Sequence, residues 1–192
     1  MLAEVLEVLR VDLEQFLRRK AALGPSRDVV QLVNFASGRD QLAIPADTVG
    51  MCLFNIDEER IMKSPGLIPN RNGGRVTMVQ PEVRLSLYLL FAANWRVYSE
   101  AVKFIGWTVG FFQGKRVFNR GNTPSMTADM SELAVDLYAM TLEQQNYLWA
   151  MMGIRYLPSV AYQVRPVVIQ ESQTEFEQVP VLEIDIEAAR TP

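Results

Sequence analysis

The sequence predicts an α+β fold in which a mixed β-sheet is flanked by helices. Residues 83–95 alternate as a strand that turns apolar on both faces in its middle, as a strand inside a covered sheet would. Residues 2–20 and 142–152 carry helical spacing with recognisable ends, and turn-rich stretches separate the remaining apolar runs. With 192 residues, 49% hydrophobic and 21% charged, the chain can bury a sizeable core, and one domain over residues 1–192 is expected.

The first element is a helix with Leu2, Val5, Leu6, Leu9, Leu13, Phe16 and Leu17 on one face. Arg18, Arg19 and Lys20 complement the negative end of its dipole, and Gly24-Pro25 stops it. That basic triplet is expected to be a solvated last turn rather than a binding patch. VVQLVNF (residues 29–35) and VGMCLFNI (residues 49–56) are β-branched apolar runs, hence strands, with a loop, SGRDQLAIPAD, between them. Residues 57–81 contain SPG, PNRNGG and QPE without helical period, which predicts an exposed projecting loop or a loose hairpin.

In the strand at residues 83–95, Val83, Leu85, Leu87, Leu89, Phe91, Ala93 and Trp95 share one face, opposite Arg84, Ser86, Tyr88, Leu90, Ala92 and Asn94. Ser99 can cap the next helix, which runs to about Gln113. It has one stripe of Ala101, Val102, Ile105, Val109 and Phe112 and a second of Phe104, Trp107 and Phe111, so burial on two sides is expected. Packing within the domain is favoured over a subunit contact.

Residues 114–130 return to turn chemistry and hold a basic cluster, Lys115, Arg116 and Arg120. Leu133, Val135, Leu137 and Ala139 then alternate with Glu132, Asp136 and Tyr138, a strand with one wet face. Thr141 and Gln144 form a capping box, Gly153 suits the left-handed residue past the helix end, and Leu142, Leu148, Trp149 and Met152 can face the sheet. In YLPSVAYQVRPVVIQ the apolar parity changes at Arg165-Pro166, from Val160, Tyr162 and Val164 to Val167 and Ile169. A bulge or a sheet-edge position would explain the slip and the tolerated proline together. Residues 181–187 alternate Leu182, Ile184 and Ile186 with Glu183, Asp185 and Glu187, predicting a half-buried strand with an acidic face. Pairing of Arg165 with one of those acids is preferred over a reach across a subunit boundary.

The chemistry is defined mostly by what is missing. The net charge of −3 supplies no basic field for phosphates, so no nucleic-acid partner is expected. Histidine is absent, which removes the usual base of Ser and Cys nucleophiles and the commonest metal ligand. The single cysteine, Cys52, lies in an apolar run and fits a core thiol. There is no GxGxxG, P-loop, CxxC or metal-spaced cluster, and Glu58-Glu59 fits a solvated turn better than a catalytic pair. No catalytic, cofactor-binding or metal-binding residue is expected, nor an enzyme. Acids within residues 1–15 and charges within residues 83–112 argue against a signal, a spanning helix or direct membrane insertion.

Three stretches carry a resemblance to a known family: QPEVRLSLYLLFAANW after its glycine- and proline-rich loop, LAVDLYAMTLEQQNYLWAMMG, and YLPSVAYQVRPVVIQ followed by VPVLEIDIE. In these the chain resembles the cap or tail-terminator proteins of phage-tail-like contractile injection systems. The resemblance implies a tail-terminator-like fold, and a homohexameric ring on the distal end of the inner tube and sheath. Such a ring ends tube growth and holds the last sheath layer. It also implies cytoplasmic assembly into a particle, released or membrane-anchored, and the additional C-terminal domain of some relatives is not expected in this chain. Sheet edges that accept a strand from a sheath subunit fit that role.

The residues expected to meet partners are Arg71, Asn72 and Arg75 in the loop at residues 57–81, Lys115, Arg116 and Arg120 in the next, and Arg165, Glu183, Asp185 and Glu187. Two other readings stand beside this one. One is a small-ligand-binding or catalytic α+β domain with a pocket beneath Trp95, Trp107 and Trp149. The other is a baseplate component of the same machine.

Overall fold

The computed structural model describes residues 1–24, 28–37, 41–59, 68–72, 75–79, 82–130, 132–169 and 174–178. The chain divides into two compact units, one of Met1–Glu59 with Arg84–Val168 and one of Arg60–Val83 with Ile169–Pro192.

The first unit is built on six strands: β1 (Val30–Leu32), β4 (Thr48–Glu58), β7 (Val83–Asn94), β8 (Val117–Phe118), β9 (Leu133–Leu137) and β10 (Ser159–Ile169). Their order is β1-β4-β7-β10-β9-β8. The β1–β4 pair is parallel, while β4–β7, β10–β9 and β8–β9 are antiparallel, so the sheet is mixed. Helices α1 (Leu2–Ala21) and α2 (Tyr98–Gly114) share a core with Leu87, Leu89 and Phe91 of β7. On the opposite face, Leu148, Trp149 and Met152 of α3 (Leu142–Met152) pack with Leu90 and Ala92. The two-sided apolarity of residues 83–95 therefore reflects a central strand between two helical layers. Phe91, Phe112 and Tyr162 meet in the first core, with ring centroids 4.5–5.9 Å apart.

Several expectations shift by a few residues. The first helix ends before Gly24, with Ala22 in the left-handed conformation (φ 52°) and the Leu23 N–H donating to Arg18 O. Helix α2 starts after Val97 without a side-chain cap, which leaves Ser99 inside its first turn. Its buried side chains are Ala101, Phe104, Thr108, Phe111 and Phe112, whereas Val102 is exposed. The aromatic stripe wins because it stacks on its neighbours: Trp95 on Phe104 at 4.1 Å and Phe16 on Phe111 at 5.2 Å. The loop between the first two strands contains a minimal hairpin, β2 (Ala36–Ser37) with β3 (Gln41–Leu42).

The capping box of Thr141 and Gln144 forms, and Gly153 takes φ 65°. Leu142 does not face the sheet but is 84% exposed, because the first turn of α3 projects past the apolar cluster that holds Leu148 and Trp149. Leu137, the last residue of β9, is 61% exposed, whereas Tyr138 packs against the second core. Strand β10 is interior, not an edge strand. Its Arg165-Pro166 peptide is cis, its pairing to β9 ends at Arg165, and both Val164 and Val167 reach the first core, so the parity slip is present.

The second unit contains a three-stranded sheet, β11-β6-β5, from β5 (Ile68–Asn72), β6 (Arg75–Val79) and β11 (Thr174–Gln178). Both pairs are antiparallel. Within the stretch at residues 57–81, β5 and β6 thus pair as a hairpin, one of the two forms expected there, and β11 is a strand that its sequence does not announce. The strand expected at residues 181–187 lies outside the described residues.

Candidate partner interface

Both margins of the six-stranded sheet are occupied by the chain's own side chains. At β1, the Glu14 carboxylate of α1 accepts from the backbone N–H groups of Val29 and Val30, while Arg10 donates to Val30 O at 3.3 Å. Glu14 is only 7% exposed and is also bonded by Arg18. Arg18 reaches Asp28 as well, so one member of the basic triplet is a structural tie rather than a solvated charge. At β8, the Asn122 side chain donates to Val117 O at 2.8 Å and accepts from Asn119 N–H at 3.0 Å, standing where a neighbouring strand would. The expectation of open edges does not hold at these positions: an added strand would have to displace Glu14, Arg10 or Asn122.

A partly exposed aromatic surface, among the described residues, lies on the second face of the sheet, beside α3. There Phe54, Tyr88 and Tyr138 form a chain of rings, 6.1 and 4.9 Å between centroids. Gln163 of β10 donates to the Tyr88 hydroxyl at 3.3 Å, and Arg165 donates to Asp136 of β9 at 3.3 Å. Burial pushes the Tyr88 hydroxyl pKa upward, Asp57 adding to the shift and Arg165 opposing it, so the phenol is a neutral donor at neutral pH. Arg165 is 45% exposed and Asp136 43%, and an ion pair so open is worth about 0–1 kcal/mol at most. The guanidinium can therefore exchange Asp136 for a partner's carboxylate at little cost. Partly buried tyrosines beside an arginine supply the contact chemistry that concentrates at interfaces.

The other expected site residues are distributed as follows. Arg71 and Asn72 close β5, in register with Val76 and with Arg75 of β6 respectively. Lys115 bonds Asp12 of α1 and the carbonyl of Asn122, with its ammonium 4.7 Å from the Phe118 ring, so it ties α2 to α1. Arg116 donates to Gln113, and Arg120 is exposed in the adjacent turn. Register aligns Arg165 with Ala134, and Ala134 with Val117, which sets Arg165 and Arg116, the residue before β8, at the same end of β10, β9 and β8. Glu183, Asp185 and Glu187 lie outside the described residues, and the described partner of Arg165 is Asp136. Glu14 and Asn122 went unrecognised. Glu14 carried one signal, an acid between Leu13 and Leu17 on the apolar face of the helix.

Among the described residues the three tryptophans are divided between two pockets. Trp95 and Trp107 line a cavity of about 610 Å³ with Phe104, Lys20 and Lys103, whereas Trp95 and Trp149 line a separate groove. Burial pushes the Cys52 thiol above its ordinary pKa, which keeps it protonated and unreactive. Among the described residues no group of three or more acids and cysteines could hold a metal ion, and no helix is long and apolar enough to cross a membrane.

Residues 4–183 match the family model described as the Pvc16 N-terminal domain. Among solved structures, the chain is similar to the sheath/tube terminator, in its extended state, of the extracellular contractile injection system PVC. The two are 14% identical with a TM-score of 0.63, over 100% of this chain and 64% of that one. It is also similar to the anti-feeding prophage cap, a tube-terminating cap, at 15% identity and a TM-score of 0.58, over 92% of this chain and 60% of that one. The fold is thus that of tail-terminator structures, and the chain spans less than two thirds of the length of either relative. No curated protein is significantly similar in sequence.

Proposed function

Since this chain belongs to the family of Pvc16 N-terminal domains, we propose that it is a structural cap of a contractile injection system, without catalytic activity. In this reading six copies form a ring on the distal end of the inner tube and sheath. The ring stops tube growth and anchors the last sheath layer of a phage-tail-like particle. The observation that carries the reading is likeness to a sheath/tube terminator along the whole chain. The Tyr88–Tyr138–Arg165 surface supports it with a patch, partly exposed among the described residues, whose chemistry suits a protein partner.

In that role Tyr88 and Tyr138 supply contact area and Arg165 a charge. Arg71, Asn72 and Arg75 contribute from the hairpin of the second unit, and Arg116 and Arg120 from the two sides of β8. Lys115 acts within the fold, through Asp12. The test is cryo-electron microscopy of particles assembled with the double variant Tyr88→Ala/Arg165→Glu. Both side chains are at least partly exposed, so the variant is expected to fold and to leave tubes of uneven length with uncapped ends. Particles of normal length with an occupied distal end, seen in a strain lacking this chain altogether, would overturn the capping role.

A further inference from the structure

The groove beside the C-terminal end of α3 is unused by the surface described above. Its volume is about 1080 Å³, and Asn94, Trp95, Arg96, Asn146, Trp149, Arg155 and Tyr156 are among its walls. That is at or above the upper end of small-molecule pockets, about 300–1,000 Å³, and suits a length of peptide. Among the described residues its charged lining residues are Arg96 and Arg155, although the chain as a whole is acidic. Its wall includes Trp149, which is 5% exposed and whose indole N–H finds no acceptor among the described residues. A buried donor left in that condition costs about 1–3 kcal/mol, and an incoming backbone carbonyl is the kind of group that relieves it.

We propose that this groove receives residues 181–187, VLEIDIE, of a second copy of the chain. The match is two-sided. Glu183, Asp185 and Glu187 supply three carboxylates for Arg96 and Arg155, while Leu182, Ile184 and Ile186 supply apolar contacts for Trp95, Trp149, Ile154 and Leu157. The alternation of the segment lets one side of an extended backbone face the arginines and the other the rings. The contact is heterologous, tail into groove, and repeated around an axis it closes a ring, so the inference rests on the ring reading and gives it one of its joints.

The test is charge reversal in the full chain, read by sedimentation or mass photometry over a concentration series. One variant carries Arg96→Glu/Arg155→Glu and the other Glu183→Lys/Asp185→Lys/Glu187→Lys. Arg96 and Arg155 are exposed, so reversal leaves the fold intact, which circular dichroism and melting confirm independently. Each variant alone is expected to self-associate at least about tenfold more weakly than the wild type, because like charges now face each other. An equimolar mixture of the two is expected to recover association, since each tail then finds an opposite groove on the other variant. Recovery only when both sets of reversals share one chain would mean that the tail docks on its own copy, and would overturn the proposal. So would unchanged association of either variant, or a wild type that stays monomeric at every concentration. None of these results bears on whether particles lacking the chain lose their distal cap, so capping and tail docking fail separately.

Discussion

Glu14 is the residue on which the packing of α1 against the sheet turns. Its carboxylate accepts two backbone N–H groups at the head of β1 and a guanidinium one helical turn away, all in a position 7% exposed. Charge-assisted bonds of this kind exceed neutral ones, and removing one partner of a buried set leaves the others unsatisfied. Glu14→Ala is therefore expected to lose about 3 kcal/mol in urea unfolding, and Glu14→Gln less, because one acceptor oxygen remains. A loss for Glu14→Ala below about 1 kcal/mol would mean that water replaces the carboxylate and that the margin of β1 is wetter than the structure has it. Such a residue hides in sequence because a glutamate on a helix is ordinarily solvated. Only its position on the apolar stripe sets it apart.

At the scale of elements, β4 shows how a strand is shaped by what lies on it. Gly50 is on the face carrying Cys52, and a Cβ there would lie 2.8 Å from Phe35 Cε1 and 2.9 Å from Ile44 Cγ1. The two side chains rest directly on the strand backbone, so Gly50→Ala is expected to cost about 1–3 kcal/mol and to lower the melting temperature accordingly. An unchanged melting temperature would show that Phe35 and Ile44 move aside freely. The elements with local signatures were legible beforehand: the alternation of residues 83–95, the box at Thr141 and Gln144, and the left-handed Gly153 depend on neighbours in sequence. What escaped depends on distant contacts. The outward turn of Val102 follows from Trp95 and Phe16 claiming the aromatic stripe, and the exposure of Leu142 follows from where the second core ends.

At the scale of the whole molecule, the larger unit closes its cores from residues 1–59 and 84–168, and the β5–β6 hairpin belongs to the other unit. Deleting residues 70–74 is therefore expected to leave the cooperative melting of the larger unit within a few degrees of wild type while impairing attachment to particles. Loss of that transition would show that the hairpin is part of the fold and not a reach toward partners. The candidate surface was only partly legible. Arg165 stood out as a charge in an apolar strand, but its neighbour Asp136 and the rings of Tyr88 and Tyr138 come together only through the pairing of β10 with β7 and β9. The acids at 183–187, to which sequence proximity points, lie outside the described residues.

The filled margins at β1 and β8 have a consequence for counting. Growth by backbone ladders carries no number of its own, since every strand added recreates the edge that it used. At β1 and β8, where Glu14, Arg10 and Asn122 already hold edge groups, copies in the ring proposed above would meet through side-chain surfaces instead, and such surfaces meet at a fixed angle. A fixed angle is what allows an assembly to come back to its starting point and stop.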